Sequence, residues 1–220
     1  MITVHHLEDS RSQRVLWLME ELGLPYEVKR YARDPKTRLA PPELLKVHPL
    51  GKSPVIDDDG RVVAETGAII EYVVGRYGGG RLIPQEGTDA RLSYSYWLHF
   101  AEGSAMPPLL MKLIFNTMVE RAPKLLKGVV KAITGPVLAG FVEPNIARQL
   151  AFIESHLASS AWFAGADFTA ADIMMSFPLE AAGARADLSA SPRVKAFVAA
   201  IHARPAYVRA LERGGPYMFA

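Results

Sequence analysis

Four short segments carry side chains whose chemistry can be followed. Ser10-Arg11-Ser12 places two hydroxyls and a guanidinium just ahead of an apolar periodic run. Serine there caps a helix, worth about 1 kcal/mol, and a helix start with free N–H groups also holds an anion. Gly51-Lys52-Ser53-Pro54 puts proline at the entry to a strand, where a residue without an N–H does not interrupt the ladder. A cis Ser53–Pro54 bond would turn the Ser53 N–H and C=O outward to pair with a peptide-like ligand. Glu65-Thr66-Gly67 opens a helix with Thr66 as the expected N-cap. The amide hydrogens there suit a carboxylate and Glu65 an ammonium, together the head group of an α-amino acid. Thr169-Ala170-Ala171-Asp172 has the spacing of a capping box with Asp in place of the usual Glu, a folding device rather than a site.

The remaining chemistry is narrowed by what the chain lacks. It has no cysteine, so no protein thiol, zinc ribbon or iron–sulfur cluster is available. The six histidines show no metal-ligand spacing. His5-His6 is a strand pair whose side chains face opposite ways, and no metal is expected.

The elements that must position these residues are legible as periodicities. Ile2–His6 is an expected strand, followed by a helix with Val15, Leu18, Met19 and Leu22 on one face and Gly23 and Pro25 as its stop. Tyr26–Tyr31 is a second strand; after a loop over residues 34–42 comes a short helical turn, Glu43–Val47. Pro54–Asp57, the turn Asp58-Asp59-Gly60 and Arg61–Ala64 form a hairpin, and Thr66–Tyr77 a third helix. The order β-α-β-α-β-β-α implies one parallel pair and an antiparallel edge, an α/β domain over residues 1–80. Residues 81–88 form a linker and residues 89–220 an all-helical domain. In the latter, Asp89–Phe115 is a long helix disturbed at Pro107-Pro108, and residues 119–142 are left unassigned between Pro123 and Pro136. Ile146 to Leu157 and Val194 to Ile201 are amphipathic helices.

Two domains fit the 220 residues, half of them hydrophobic and 22% charged. The formal charge of +2 is close to neutral, and neither domain carries the basic stripe of a nucleic-acid binder. The first residues lack the apolar core of a signal peptide. The longest apolar runs of note, Val15–Met19 and Gly135–Val142, are too short for a spanning helix, so no transmembrane segment is expected.

The ordered set resembles the cytosolic glutathione S-transferases, and the resemblance covers essentially the whole chain. Its carriers are residues 48–56 (HPLGKSPVI), 64–72 (AETGAIIEY) and 168–172 (FTAAD). Residues 10–21 and 96–108 look like serine-type members found in bacteria and fungi. The resemblance implies a thioredoxin-like N-terminal domain and an all-α C-terminal domain, a homodimer, a cytoplasmic location and glutathione as co-substrate. It implies that Ser10, four residues before Arg14, hydrogen-bonds the glutathione sulfur, with Ser12 as the alternative. Pro54 takes the place of the family's cis-proline, and Ser53 pairs by its backbone with the cysteinyl unit. Glu65 and Thr66 hold the γ-glutamyl group, and Lys52, or less directly His48, meets the glycyl carboxylate. His48 stands where many members have Asn, and Thr66 where Ser is commoner. A hydrophobic electrophile would bind beside the sulfur, with Met106, Leu110, Tyr217 and Phe219 as candidates for its pocket.

The implied chemistry is in range. Lowering a thiol pKa by about two units requires about 2.7 kcal/mol. A hydrogen bond to a charged group contributes about 1.5–3 kcal/mol and a helix N-terminus about 0.3–1. A serine donor on a helix start therefore suffices without a general base. The leading expectation is transfer of glutathione to hydrophobic electrophiles. The alternatives are glutathione-dependent reduction of organic hydroperoxides and a noncatalytic ligand-binding module of the same fold.

Overall fold

The computed structural model describes residues 1–219. Strand β1 (Ile2–Leu7) is followed by α1 (Ser12–Leu22), β2 (Tyr26–Tyr31), a 3-10 turn (Pro42–Lys46), β3 (Val55–Asp58), β4 (Arg61–Ala64) and α2 (Thr66–Tyr77). The sheet order is β2-β1-β3-β4, with β1 parallel to β2 and antiparallel to β3. This is the mixed sheet expected of a thioredoxin-like domain. The alternation along β1 is strict: Ile2 and Val4 enter the main core, whereas Leu7 packs on the other side with Tyr31 and Leu44.

Local chemistry sets the boundaries. Gly23 ends α1 at φ 62°, a left-handed conformation that suits glycine. In the hairpin, Asp58 belongs to β3 and pairs with Arg61, so the expected three-residue turn contracts to Asp59-Gly60. Both residues have positive φ, as a tight primed turn requires.

The second domain contains α3 (Asp89–Phe100), α4 (Met106–Arg121), α5 (Lys127–Val137), α6 (Glu143–Ser159), α7 (Ala170–Arg185), α8 (Pro192–His202) and α9 (Pro205–Gly214). The disturbance expected at Pro107-Pro108 falls one turn earlier, as a π-helical turn over Ala101–Ala105 that joins α3 to α4. A second π turn, Leu138–Val142, lies ahead of Pro144 and joins α5 to α6. Proline in a helix lacks its N–H and crowds the carbonyl four residues back; the widened turn makes room for it. Apart from a break at Ala122-Pro123, residues 119–142 are thus helical, and Lys124–Ser159 forms one run long and apolar enough, by length and composition alone, to cross a membrane. The α6 part of this run buries Ile146, Leu150, Ile153 and Leu157, while Leu125, Val129 and Ile133 in its first half are exposed.

The two domains share one core, in which Trp17 of α1 meets Tyr207 edge-on at 5.2 Å and Phe168 at 5.7 Å. Thr169 and Asp172 form the expected capping box on α7. Asp172 also accepts from the Phe163 N–H at 2.8 Å, which pins the preceding loop. Burial pushes its carboxyl up to about 6 against the pull of these donors.

Candidate active site

A cleft of about 1120 Å³ lies between the domains. One wall comes from the β1–α1 turn, residues 48–54 and the start of α2; the other comes from Leu98, His99, Glu102, Gly103 and Leu110. Of the residues singled out from sequence, His48, Lys52, Ser53, Pro54, Glu65, Thr66 and Leu110 line it together.

The Ser53–Pro54 bond is cis. Beyond the last β1–β3 pair, His5 with Val55, the Ser53 side chain takes over the pairing. Its hydroxyl donates to the His5 carbonyl at 2.9 Å and accepts from the Leu7 N–H at 3.3 Å. The segment is therefore tied to the central strand by a side chain. His48 accepts the Leu50 N–H on Nδ1 at 3.3 Å, so its neutral ring carries the proton on Nε2.

At the start of α2 the cap position belongs to Glu65, and Thr66 is the first helical residue, without the expected side-chain cap. The first helical bond runs from Ile69 to the Glu65 carbonyl, which leaves the Thr66, Gly67 and Ala68 amides without helical partners. Glu65 has φ 69° and ψ 125°, a conformation costing on the order of 1–3 kcal/mol for a residue with a Cβ and found mostly at functional positions.

The start of α1 differs from expectation. The Ser12 N–H donates to Ser10 Oγ at 3.2 Å, the Gln13 N–H to the Ser10 carbonyl at 3.2 Å, and the Arg14 N–H to the Arg11 carbonyl at 3.2 Å. These amides are satisfied within the turn, so the charge this corner presents to the cleft is the Arg11 guanidinium. Ser10, 5% exposed, is not among the residues that line the cleft, although its neighbour Arg11 is, and Ser12 is fully buried.

Sequence reasoning missed the ion cluster that closes the interdomain wall. Arg11 Nε donates to both carboxylate oxygens of Glu102, at 2.9 and 3.0 Å, and the buried Arg14 donates to Oε1 at 2.5 Å. Arg14 also reaches Thr66 Oγ1 at 3.4 Å and the Met174 carbonyl at 2.5 Å. Burial raises the Glu102 carboxyl, but the two guanidiniums outweigh it and hold the group below its ordinary value. The only sequence signals were arginines at the start of α1 and an acid ahead of a proline pair.

Three pocket candidates are placed elsewhere. Met106 and Tyr217 belong to a second core cluster, with Phe219 packed against it. Tyr217 donates to Glu180 at 2.5 Å, as Tyr207 does at 2.7 Å. A buried phenol needs an acceptor, and Glu180 uses both to fasten the C-terminal tail. Phe219 stacks edge-on against Phe177 at 5.5 Å. Among the described residues, no group of acids and histidines is disposed to hold a metal.

Comparison with known proteins agrees with this architecture. Residues 10–74 match the family model "Glutathione S-transferase, N-terminal domain" and residues 110–205 match "Glutathione S-transferase, C-terminal domain". Glutathione S-transferase 3 of Schizosaccharomyces pombe is 37% identical, over 97% of this chain and 88% of that protein. Glutathione S-transferase 1 of Saccharomyces cerevisiae is 32% identical, over 83% of this chain and 81% of that one. Among solved structures, a glutathione S-transferase from Actinobacillus pleuropneumoniae superposes with a TM-score of 0.80 at 31% identity, covering 100% of this chain and 95% of that one. A sphingomonad glutathione S-transferase solved with glutathione shares the fold, with a TM-score of 0.74 at 24% identity over 97% of this chain and 98% of that one. On these grounds the chain belongs to the glutathione S-transferase family.

Proposed function

We propose that the protein transfers glutathione to hydrophobic electrophiles, holding the tripeptide along the N-terminal wall of the cleft and using Ser10 to stabilise its thiolate. The observation that carries this reading is the convergence of complementary groups on one wall: the α2 amides and Glu65 for an α-amino acid end, Ser53 and Pro54 for a peptide middle, and Lys52 with His48 Nε2–H for a terminal carboxylate. Charge and order match γ-glutamyl-cysteinyl-glycine from end to end. Of the two serines offered by the sequence, Ser10 is the one with any exposure. Leu98 and Leu110 on the opposite wall supply apolar surface for the electrophile. The sulfur forms its bond to the electrophilic carbon as the leaving group departs with its electron pair. The reading includes a cytoplasmic homodimer, for which the exposed Leu113, Ile114 and Met118 of α4 and Val129 and Ile133 of α5 offer an apolar face.

The test is Ser10→Ala, assayed with a chloronitrobenzene and with cumene hydroperoxide alongside retention on immobilised glutathione. Lost turnover with retained binding supports the reading. Unchanged turnover removes Ser10 from it, and a wild type that neither binds nor turns over removes the enzyme.

A further inference from the structure

Behind Ser10 the hydroxyls and an imidazole form a continuous buried chain. Ser10 Oγ is 2.7 Å from Ser12 Oγ, and Ser12 Oγ is 2.8 Å from His6 Nδ1. The three residues are 5%, 0% and 3% exposed. Each hydroxyl has one proton to give, so an unbroken chain runs in one of two directions, and Ser12 donating to the Leu7 carbonyl instead would break it. Inward, Ser10 donates to Ser12 and Ser12 to an unprotonated His6 Nδ1, and nothing is left for a ligand. Outward, His6 Nδ1–H donates to Ser12, Ser12 to Ser10, and Ser10 into the cleft. The other acceptor near Ser12, the Leu7 carbonyl at 3.3 Å, is longer than either link.

We propose that Ser12 and His6 are positioning residues that set the direction in which Ser10 donates, and that a bound sulfur anion turns the chain outward. The inference rests on Ser10 being the partner of the sulfur. A hydrogen bond to an anion is stronger than one between neutral groups, and each bond in a buried chain polarises the next. The thiolate therefore draws the protons toward itself. Both directions contain the same number of protons. The imidazole carries one throughout, on Nε2 or on Nδ1, and the thiol proton leaves to solvent.

The surroundings keep that ring neutral. Burial, reinforced by Arg30 of β2, pushes His6 down to about 4, against the opposing pulls of the Gly214 backbone at the end of α9 and of Asp9 in the β1–α1 turn. On α1, Gln13 presents a buried amide without a hydrogen-bond partner. Its Oε1 and the His6 ring flank the same point, the position a Cβ on Gly214 would occupy. Reversal then needs a change of tautomer in the neutral ring, at the cost of the ring's bond to the Gly214 backbone.

Two measurements decide the matter. In the glutathione-saturated enzyme, the ultraviolet thiolate band is titrated for wild type, Ser10→Ala, Ser12→Ala, His6→Phe and His6→Asn. Ser12→Ala and His6→Phe are expected to raise the bound-thiol pKa by about half a unit, roughly threefold less thiolate near neutrality, with glutathione affinity kept. His6→Asn, whose amide N–H falls where Nδ1–H lies, is expected to restore the wild-type value. Ring-nitrogen NMR shifts of wild-type protein are expected to place the His6 proton on Nδ1 once thiolate is bound, a result independent of whether any variant folds. The proposal is overturned if the complex keeps the Nε2–H tautomer. It is overturned equally if Ser12→Ala leaves the thiol pKa unmoved while Ser10→Ala raises it. If Ser10→Ala also leaves it unmoved, the assignment of Ser10 falls as well, which separates the two failures.

Discussion

The Met174 carbonyl accepts the Arg14 guanidinium at 2.5 Å because the residue four places on, where its helical donor would be, is Pro178. A proline inside a helix costs about 3 kcal/mol. Here the carbonyl it frees becomes a ligand for the buried arginine that also holds Glu102 and Thr66. One imino acid in α7 thus positions a side chain of α1 against a group in α2.

Arg14 should accordingly be a stability determinant. Removing one partner from a buried pair costs about 3–5 kcal/mol. Arg14→Leu is expected to lose about that much in urea unfolding, and Arg14→Lys to recover little, since an ammonium lacks the planar fork. A loss below about 1 kcal/mol would remove Arg14 from that role.

Two buried groups oppose each other on the acid side of the stability profile. His6, depressed to about 4, binds its proton more readily when unfolded, so it makes stability fall as pH drops from 6.5 to 4. Asp172, raised to about 6, loses its proton more readily when unfolded, so it makes stability fall as pH rises from 3.8 to 6. Each slope is about 1.4 kcal/mol per pH unit. His5 and His156, which burial also lowers, add to the slope of His6, so wild-type unfolding free energy should rise with pH between about 4.5 and 6, less steeply than it would without Asp172. Asp172→Asn, less stable at every pH, should become more stable with rising pH by about 2 kcal/mol over that window. A flat profile in the variant would contradict the assignment.

Gly214 is required by close approach. A Cβ there would lie 2.6 Å from Gln13 Oε1 and 2.9 Å from Leu16 Cδ1. Gly214→Ala is expected to destabilise by about 1–3 kcal/mol through overpacking and to shift the His6 ring resonances. A neutral substitution would show that α9 is free to move aside.

Lys52 is exposed at the cleft rim. Lys52→Ala should raise the glutathione Kd by about tenfold at low ionic strength, with the difference shrinking as salt is added. Glu65→Gln should weaken glutathione but not its des-amino analogue. Equal losses for both ligands would place the ammonium elsewhere.

Much of this was visible in residue order. Tyr26–Tyr31 and Thr66–Tyr77 begin and end where their periodicity and stop signals place them, and the capping box forms from Thr169 and Asp172 as spaced. These are short-range matters of dihedral preference, capping and alternation. Ser53, Pro54, Glu65 and Thr66 stand at element entrances, where backbone polar groups are left over, and the family resemblance adds Lys52; the structure places all five on one cleft.

What remained hidden has a common cause. The π turns at Ala101–Ala105 and Leu138–Val142 are responses of a packed helix to a proline, and residue type alone does not say which turn will widen. Tyr217 looked like pocket and proved to be a fastener, because its hydroxyl met Glu180 across 37 residues. Arg14 and Glu102, 88 residues apart, and the chain from Ser10 through Ser12 to His6 arise from contact between elements. Local sequence set the strands, helices and helix ends that offer donors. Which charges neutralise each other, and which hydroxyls bond to which partners, follow from tertiary packing, since burial makes an unpaired charge or polar group costly.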